Sequence, residues 1–332
     1  MSEVLKKRLS YMNAAEVMDR VFDVYRHSLL YQIALNFCVY TIGGAALYGI
    51  LIAAAAAGVL AGSIFVSAAG DTGIVILAAI GAAALIWLII IYTNLGAAAR
   101  ELLSWQSYSG RAVDFSAALK NTFKSFWRIA TLSLAEMAAG ILLMLLLCSA
   151  LYAVFAGQGI LSREFWVYGR YYSLFTFRNL LFLSAIILFI STLALIVYNC
   201  FALALPAAVF DRKYFMEGII SSYRLMKGDF WRILGIRIVF SGEMMLIHYS
   251  LSSLSAVLIG FSNALYGSLS PNIYALMMAA VGIQYAISFI TSILLTPLPG
   301  ILTSILFFNQ KIKREGMDLA MRLEILERSH GL

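Results

Sequence analysis

The chain has 332 residues, 62% of them hydrophobic and only 12% charged, and its mean hydropathy is +0.88. An ordinary soluble domain is about half apolar and about a quarter charged, so this composition excludes a typical water-soluble protein. The net charge of +7 is typical of basic loops that face anionic lipid, and it does not predict a nucleic-acid partner.

Six runs rich in Leu, Ile and Ala carry few charged residues, and each exceeds the roughly 20 helical residues needed to cross the hydrocarbon core. The runs do not alternate in polarity as the strands of a membrane β-barrel do. The sequence therefore predicts an all-α integral membrane protein with one membrane domain over residues 1–332. The predicted spans are 31–62, 74–99, 129–157, 180–209, 233–261 and 273–308.

The basic residues outside these runs are unevenly distributed. Of the 24 Lys and Arg residues, only Arg163, Arg170 and Arg178 fall on one side of the membrane. Because basic loops stay in the cytoplasm during insertion, the pattern predicts a multi-pass protein of the plasma or inner membrane with both termini in the cytoplasm. The first 28 residues carry charges throughout, so no cleaved signal peptide is expected.

A short stretch with apolar residues at every third or fourth position precedes spans one, three and five. Each stretch is predicted to form an amphipathic helix in the cytoplasmic interface of the membrane. Asn13 and Glu16 have the spacing of a capping box at the start of the first one. The predicted apolar faces are Met18, Phe22, Tyr25 and Leu29, then Phe115, Leu119, Phe123 and Phe126, then Met216, Ile219, Tyr223 and Met226.

The sequence Phe-Trp-Arg-Ile occurs twice, at 126–129 and at 230–233, and Asn94 and Asn199 precede the two copies by similar distances. We interpret this pattern as three parallel repeats around an axis along the membrane normal, each with an interfacial helix and two spans. The predicted interfacial anchors are Trp127, Arg128, Trp231 and Arg232. The predicted units are 13–100, 114–210 and 214–310, followed by a cytoplasmic amphipathic tail at 311–332.

Two stretches of the C-terminal third carry a resemblance to a known family. One spans 204–236 and contains Ser-Tyr-Arg-Leu-Met-Lys-Gly-Asp-Phe-Trp-Arg at 222–232, and the other spans 296–323 and contains Phe-Phe-Asn-Gln-Lys-Ile-Lys-Arg-Glu-Gly-Met-Asp-Leu at 307–319. The chain resembles the membrane domain attached to some bacterial and archaeal glycerophosphodiester phosphodiesterases, which also occurs alone as uncharacterised integral membrane proteins. That family usually has an acidic residue where this chain has Asn309. No catalytic barrel accompanies the membrane part, so the resemblance implies the stand-alone form without phosphodiesterase activity.

The chain offers little for catalysis. Its histidines are His27, His248 and His330, and it has no zinc-protease, serine-hydrolase or phosphate-loop motif. The three cysteines lie in apolar runs without a CxxC pair, so neither a disulfide nor a zinc site is indicated. The sequence predicts no enzyme activity, no cofactor and no metal.

Polar residues inside the predicted spans form the candidate site, because a carboxylate at membrane depth is costly unless it faces protein or water. Glu136 and Glu243 lie about 14–18 Å beyond the Trp anchors at 1.5 Å per residue, and we expect both to point into the protein. His248 is expected to form a hydrogen bond between helices. These groups are either an ion or headgroup site between repeats or buried structural groups. The candidate residues are Glu136, Glu243, Arg237, His248, Asn94 and Asn199.

Prolines are predicted to break two of the spans locally, Pro206 in span four and Pro297 with Pro299 in span six. The positions do not match between the repeats, which weakens the case for a transporter. The aromatic segment 163–178 is expected to lie on the outer leaflet.

Two functions remain open at this point. The first hypothesis is a non-enzymatic module of the cell envelope that associates with membrane lipids, with other membrane proteins or with itself. The alternative is a transporter or lipid translocator that uses the intramembrane carboxylates.

Overall fold

The computed structural model describes residues 12–46, 48–50, 52, 70–110, 112–157, 177–266 and 273–316. Within these ranges every regular element is a helix, which confirms the prediction of an all-α chain. The aromatic segment lies outside the described residues at 163–176, and the predicted tail lies outside them at 317–332. The helices are α1 (Ala14–Cys38), α2 (Gly70–Tyr108), α3 (Phe115–Lys124), α4 (Phe126–Gly157), α5 (Phe177–Phe201), α6 (Ala204–Phe210), α7 (Phe215–Met226), α8 (Phe230–Tyr266), α9 (Ile273–Leu295) and α10 (Pro297–Glu315).

Six helical segments are long and apolar enough to cross a membrane, in agreement with the predicted number of spans. They extend beyond most of the predicted spans because the helices continue into the charged segments that end each apolar run. The six segments are Ala14–Ile50, Ile80–Tyr108, Phe126–Tyr152, Leu181–Phe210, Phe230–Phe261 and Met278–Glu315.

The first predicted interfacial helix is not a separate element. α1 runs without interruption to Cys38, and a π-helical turn at Val39–Gly43 continues it. The predicted capping box is present, since the Asn13 side chain accepts from the Glu16 N–H at 2.9 Å and the Glu16 carboxylate accepts from the Asn13 N–H at 2.9 Å. The prediction of a separate helix is wrong because no Gly or Pro interrupts the chain between this cap and the span.

The second and third predicted segments are separate helices, α3 and α7. Ser125 separates α3 from α4 with ψ near 2°. Between α7 and α8, Gly228 has a φ of 92°, a left-handed conformation that glycine adopts at little cost.

The predicted apolar faces of α3 and α7 are largely not the buried faces. Ala118 and Thr122 are buried in α3, and Ser221 and Ser222 are buried in α7, whereas Phe123 is 66% exposed. Small residues let these helices approach the spans closely, and most of the bulky side chains point away from the bundle, although Leu225 and Met226 at the end of α7 are buried. In α1 the buried face is likewise displaced by one residue, to Val17, Val21, Val24 and Ser28.

The buried core lies at one end of the bundle, which we call the packed end, where the start of α1 meets the ends of α2, α6 and α10. The Asn309 side chain accepts from the Met12 N–H at 2.8 Å and donates to the Met12 carbonyl at 3.1 Å. The rings of Trp105 and Phe308 stack with centroids 3.8 Å apart. Other fully buried large side chains here are Leu203, Met226, Ile301, Ile305, Leu306 and Phe307.

The predicted break in span four lies between α5 and α6, with Pro206 in the first turn of α6. The Ser222 hydroxyl donates to the Cys200 carbonyl at 2.8 Å and accepts from the Leu203 N–H at 3.2 Å. One α7 side chain therefore satisfies two backbone groups that the break releases, as backbone groups at membrane depth require.

The predicted break in span six lies between α9 and α10, where Pro297 occupies the first helical position. Two side chains of α1 cover the released carbonyl groups. Asn36 donates to the Ile293 carbonyl at 2.8 Å, and the Tyr25 hydroxyl donates to the Leu294 carbonyl at 2.7 Å. Both broken spans are thus satisfied by protein groups.

The long helices pack against one another in a series. α1 packs on α2 and α10, α2 on α4, α4 on α5, and α8 on α9. Within the described ranges, α5 and α8 make few contacts with each other. The region between α5 and α8 is called the seam.

Candidate functional site

The six candidate residues do not form a single site. Asn94 and Glu136 meet between α2 and α4, whereas Asn199 and Arg237 meet across the seam between α5 and α8. The remaining two candidates, both on α8, join neither pair.

The first pair is a self-contained polar contact. Asn94 Nδ2 donates to Glu136 Oε2 at 2.6 Å and to Ser133 Oγ at 2.9 Å. Glu136 is half-buried, so the prediction that it points toward protein is confirmed. Its carboxylate is already used by an amide of the neighbouring helix.

The prediction that Glu243 points inward is wrong, because its side chain is exposed on α8. Glu243 follows Arg237 by six residues, which at 3.6 residues per turn places it about 240° around the helix, away from the seam. His248 is half-buried but forms no hydrogen bond within the described part of the chain, so the predicted contact between helices is not found. Its ring contacts only Tyr249, with centroids 6.2 Å apart.

The second pair places a guanidinium group in the seam. Arg237 Nη1 donates to Asn199 Oδ1 at 2.9 Å, and the guanidinium carbon lies 5.1 Å from the centre of the Tyr198 ring. Among the described residues, no carboxylate forms an ion pair with Arg237. Asn199 is only 1% exposed, and its Nδ2 has no acceptor. The N–H groups of the Arg237 guanidinium and of Asn199 Nδ2 therefore lie close together, and no carboxylate among the described residues accepts from them.

These groups line a cleft of about 320 Å³. Tyr198 is 66% exposed and Ser241 is also exposed, so the cleft opens on the outer side of the bundle and not into its core. Its polar groups are donors or hydroxyls, and its walls are otherwise aliphatic. The cleft is lined by Leu195, Tyr198, Asn199, Leu234, Arg237, Ile238 and Ser241.

The two asparagine contacts occupy corresponding positions. Ser133 is the sixth residue after one Trp of the Phe-Trp-Arg-Ile sequence, and Arg237 is the sixth after the other. Glu136, three residues beyond Ser133, supplies an acceptor in the first contact. Its counterpart at the seam is Phe240, which is buried and accepts nothing. The seam therefore has a cation where the first contact has a serine, and it lacks the carboxylate.

The predicted anchors have matching geometry in the two copies of the sequence. Trp127 and Trp231 are each 73% exposed. The adjacent arginines turn inward instead. Arg128 Nη1 donates to the Ala208 carbonyl at 3.0 Å, and Arg232 Nη2 donates to the Met12 carbonyl at 2.9 Å. The placement of the Trp rings at the membrane surface stays a prediction.

Sequence reasoning missed a buried polar network between α1 and α2. Arg100 Nη1 donates to Asn36 Oδ1 at 3.2 Å, and Gln32 Nε2 lies 3.3 Å from Ser104 Oγ. Glu101 is 2% exposed, and its Oε2 has no partner among the described residues. The signal is in the sequence, because polar residues recur every fourth position at 28, 32 and 36 and again at 100 and 104.

The chain matches no protein-family model, no curated protein and no solved structure. The resemblance to the phosphodiesterase-associated membrane domain therefore stays a prediction that rests on the two C-terminal stretches.

Proposed function

We propose that this chain is a non-enzymatic membrane module that binds anionic phospholipid, with the headgroup held by Arg237 and Asn199 in the cleft at the seam. The observation that carries the proposal is a guanidinium group in a laterally open cleft that has no carboxylate partner among the described residues.

The charge of Arg237 has an energetic cost in the membrane. An arginine within a membrane span is expensive unless it reaches water, a counter-ion or the interface. Arg237 lies six residues beyond Trp231, about 9 Å along the helix at 1.5 Å per residue. If Trp231 lies at headgroup level, the guanidinium lies just below the phosphates of the same leaflet. A phosphate bound through two parallel N–H···O contacts would compensate the charge.

The walls of the cleft favour a lipid over a soluble anion. Leu195, Leu234 and Ile238 surround the polar groups, and the opening faces outward from the bundle. A lipid headgroup can enter from the side while its acyl chains stay in the bilayer. The free Nδ2 of Asn199 offers a further donor to a phosphate oxygen.

The proposal includes the predicted topology and repeats. If the positive-inside pattern is right, the packed end faces the cytoplasm and the bound lipid belongs to the inner leaflet. The matching asparagine contacts and the matching Trp and Arg geometry support three repeated units. The outward-facing bulky residues of α3 and α7 support their placement in the membrane interface, where apolar faces meet lipid. Those residues are Phe123, Tyr214, Phe215, Met216, Ile220 and Tyr223.

The alternative, transport through the intramembrane carboxylates, gains no specific observation. Glu136 is bonded to Asn94, and Glu243 lies on another face of another helix. Neither acid lines the cleft at the seam.

Native mass spectrometry of the purified protein with added phosphatidylglycerol or phosphatidylcholine tests the proposal. The parent protein should retain phosphatidylglycerol preferentially, and Arg237→Met should weaken that binding about tenfold or more, since each factor of ten is about 1.4 kcal/mol. Arg128→Met is the matched control, because Arg128 already donates to a protein carbonyl. Equal binding of both lipids by the parent, or an equal loss in both variants, would contradict the proposal.

A further inference from the structure

The side of α8 that carries Arg237 remains polar along much of the helix. Ser241, His248 and Ser252 follow at spacings of four, seven and four residues. At 3.6 residues per turn these four positions fall within about 60° of one another around the helix. The last of them lies about 22 Å beyond Arg237, which is most of the roughly 30 Å hydrocarbon thickness. We call this set the polar stripe.

The polar stripe begins in the cleft, since Arg237 and Ser241 both line it. Further along, His248 is half-buried and has no hydrogen-bond partner in the described ranges. At the far end Ser252 Oγ accepts from Gln284 Nε2 of α9 at 3.1 Å, so the polar stripe ends in the contact between α8 and α9 and not in the seam. An imidazole left without a partner at this depth is costly unless water or a polar ligand reaches it.

The opposite wall of the seam has a similar character. On α5, Thr192 lies seven residues before Asn199 and therefore on the same side of the helix. Its side chain is exposed, and its hydroxyl donates to the Leu188 carbonyl at 2.8 Å, which leaves oxygen lone pairs free to accept. Because α5 and α8 make few contacts with each other in the described ranges, we expect Thr192 and His248 to face the seam beyond the cleft.

We propose that the seam conducts phospholipid headgroups between the two leaflets by passive, energy-independent movement. The inference rests on the proposed headgroup site, which serves as the entrance. The main barrier to transbilayer movement is the desolvation of the charged headgroup in hydrocarbon. The hydroxyl of Ser241 and the imidazole of His248, which continue inward from the cleft on α8, lower that barrier, while the acyl chains remain in lipid. Glu243 lies outside the polar stripe and takes no part.

The test uses proteoliposomes of phosphatidylcholine and phosphatidylglycerol that contain a trace of phospholipid with a fluorescent headgroup. Dithionite, which does not cross the bilayer, bleaches only the probe in the outer leaflet. With the full chain reconstituted, bleaching should proceed to the inner-leaflet probe, faster than in protein-free liposomes and without ATP or an ion gradient.

His248→Leu removes a polar group from the middle of the seam. The variant should slow the transbilayer movement of lipid at least about tenfold, because the headgroup loses one polar contact at the top of its energy barrier. Ser250→Leu is the matched control, because Ser250 is exposed on the other side of α8 and should have no effect. His248→Leu should also keep phosphatidylglycerol bound at Arg237 in mass spectrometry, which shows that the variant folds.

The outcomes separate this inference from the proposed function. If the parent bleaches no faster than protein-free liposomes while it still binds phosphatidylglycerol through Arg237, the seam is a binding site only and the inference is wrong. If His248→Leu moves lipid as fast as Ser250→Leu, the route does not follow the polar stripe. If phosphatidylglycerol binding itself is independent of Arg237, the proposed function fails.

Discussion

Replacing Asn199 by aspartate places a carboxylate beside Arg237 with almost no change of shape. In the parent protein, Asn199 Oδ1 already accepts from Arg237 Nη1 at 2.9 Å, and Nδ2 has no acceptor. The substitution converts a neutral partner into an internal counter-ion. We expect Asn199→Asp to abolish the preference for anionic lipid while the protein stays folded.

The magnitude follows from the charges at the cleft. Two unit charges about 4 Å apart interact by about 4 kcal/mol at an effective dielectric constant of about 20. A phosphate bound to Arg237 gains an attraction of this order, and an internal carboxylate at the same distance cancels most of it. Desolvation offsets part of the attraction of Arg237 to the phosphate and part of its attraction to the new carboxylate. The net loss of binding free energy should therefore be about 1.5–3 kcal/mol, which corresponds to about ten- to hundredfold weaker phosphatidylglycerol binding.

The assay is a titration of the protein in neutral nanodiscs with increasing phosphatidylglycerol, followed by mass spectrometry of retained lipid. Asn121→Asp is the control, because Asn121 is exposed on α3 and adds the same charge away from the cleft. Binding of phosphatidylcholine should be equal in both variants. If Asn199→Asp binds phosphatidylglycerol as tightly as Asn121→Asp does, Arg237 is not the headgroup contact and the reasoning fails.

Three further predictions concern stability and topology. Asn36→Leu should lower the free energy of unfolding by about 1–3 kcal/mol in detergent, because the Ile293 carbonyl and the Arg100 guanidinium each lose a partner. Thr93→Val removes an exposed hydroxyl that is bonded only to its own helix and should be neutral. Equal effects of the two variants would refute the structural role of Asn36. Glu136→Gln should leave the melting temperature unchanged, because the new amide still offers an oxygen to Asn94. Glu136→Leu removes that acceptor and should destabilise the protein by about 1 kcal/mol. A loss of stability in Glu136→Gln would show that the charge of Glu136 is needed. A membrane-impermeant thiol reagent added from outside should label a cysteine at Ser173 but not one at Ser109, and labelling of both would overturn the predicted topology.

Hydropathy and turn chemistry predicted much of the fold. The apolar runs identify six candidate spans because helices are the only way for such segments to satisfy their backbone in lipid without forming a closed barrel. The capping box at Asn13 was predictable because its side-chain contacts are local in sequence, and the breaks near Pro206 and Pro297 were predictable because proline lacks an N–H and has a fixed φ.

Side-chain direction was less predictable, because helical periodicity cannot tell a lipid-facing surface from a protein-facing one. In a membrane both surroundings are apolar, so the bulky residues of α3 and α7 fit either side, and close packing places the small residues inward. Phe123 is therefore exposed on α3, whereas Ala118 and Thr122 are buried against the spans.

The candidate site was predicted in part. Asn199 and Arg237 were among the candidates as polar residues at membrane depth, but their pairing depends on how α5 and α8 are placed. Arg100 and Asn36 form a buried contact that was missed, because the predicted second span ended just before Arg100. A charge at the edge of an apolar run was interpreted as a boundary, whereas the helix continues and buries it.

An experimental structure of the protein in nanodiscs that contain phosphatidylglycerol would show directly whether the cleft holds a headgroup. We expect lipid density in the cleft, with a phosphate within hydrogen-bonding distance of the Arg237 guanidinium and of Asn199 Nδ2. A closed seam, or a cleft filled only by acyl chains while Arg237 pairs with a protein carboxylate, would contradict this expectation.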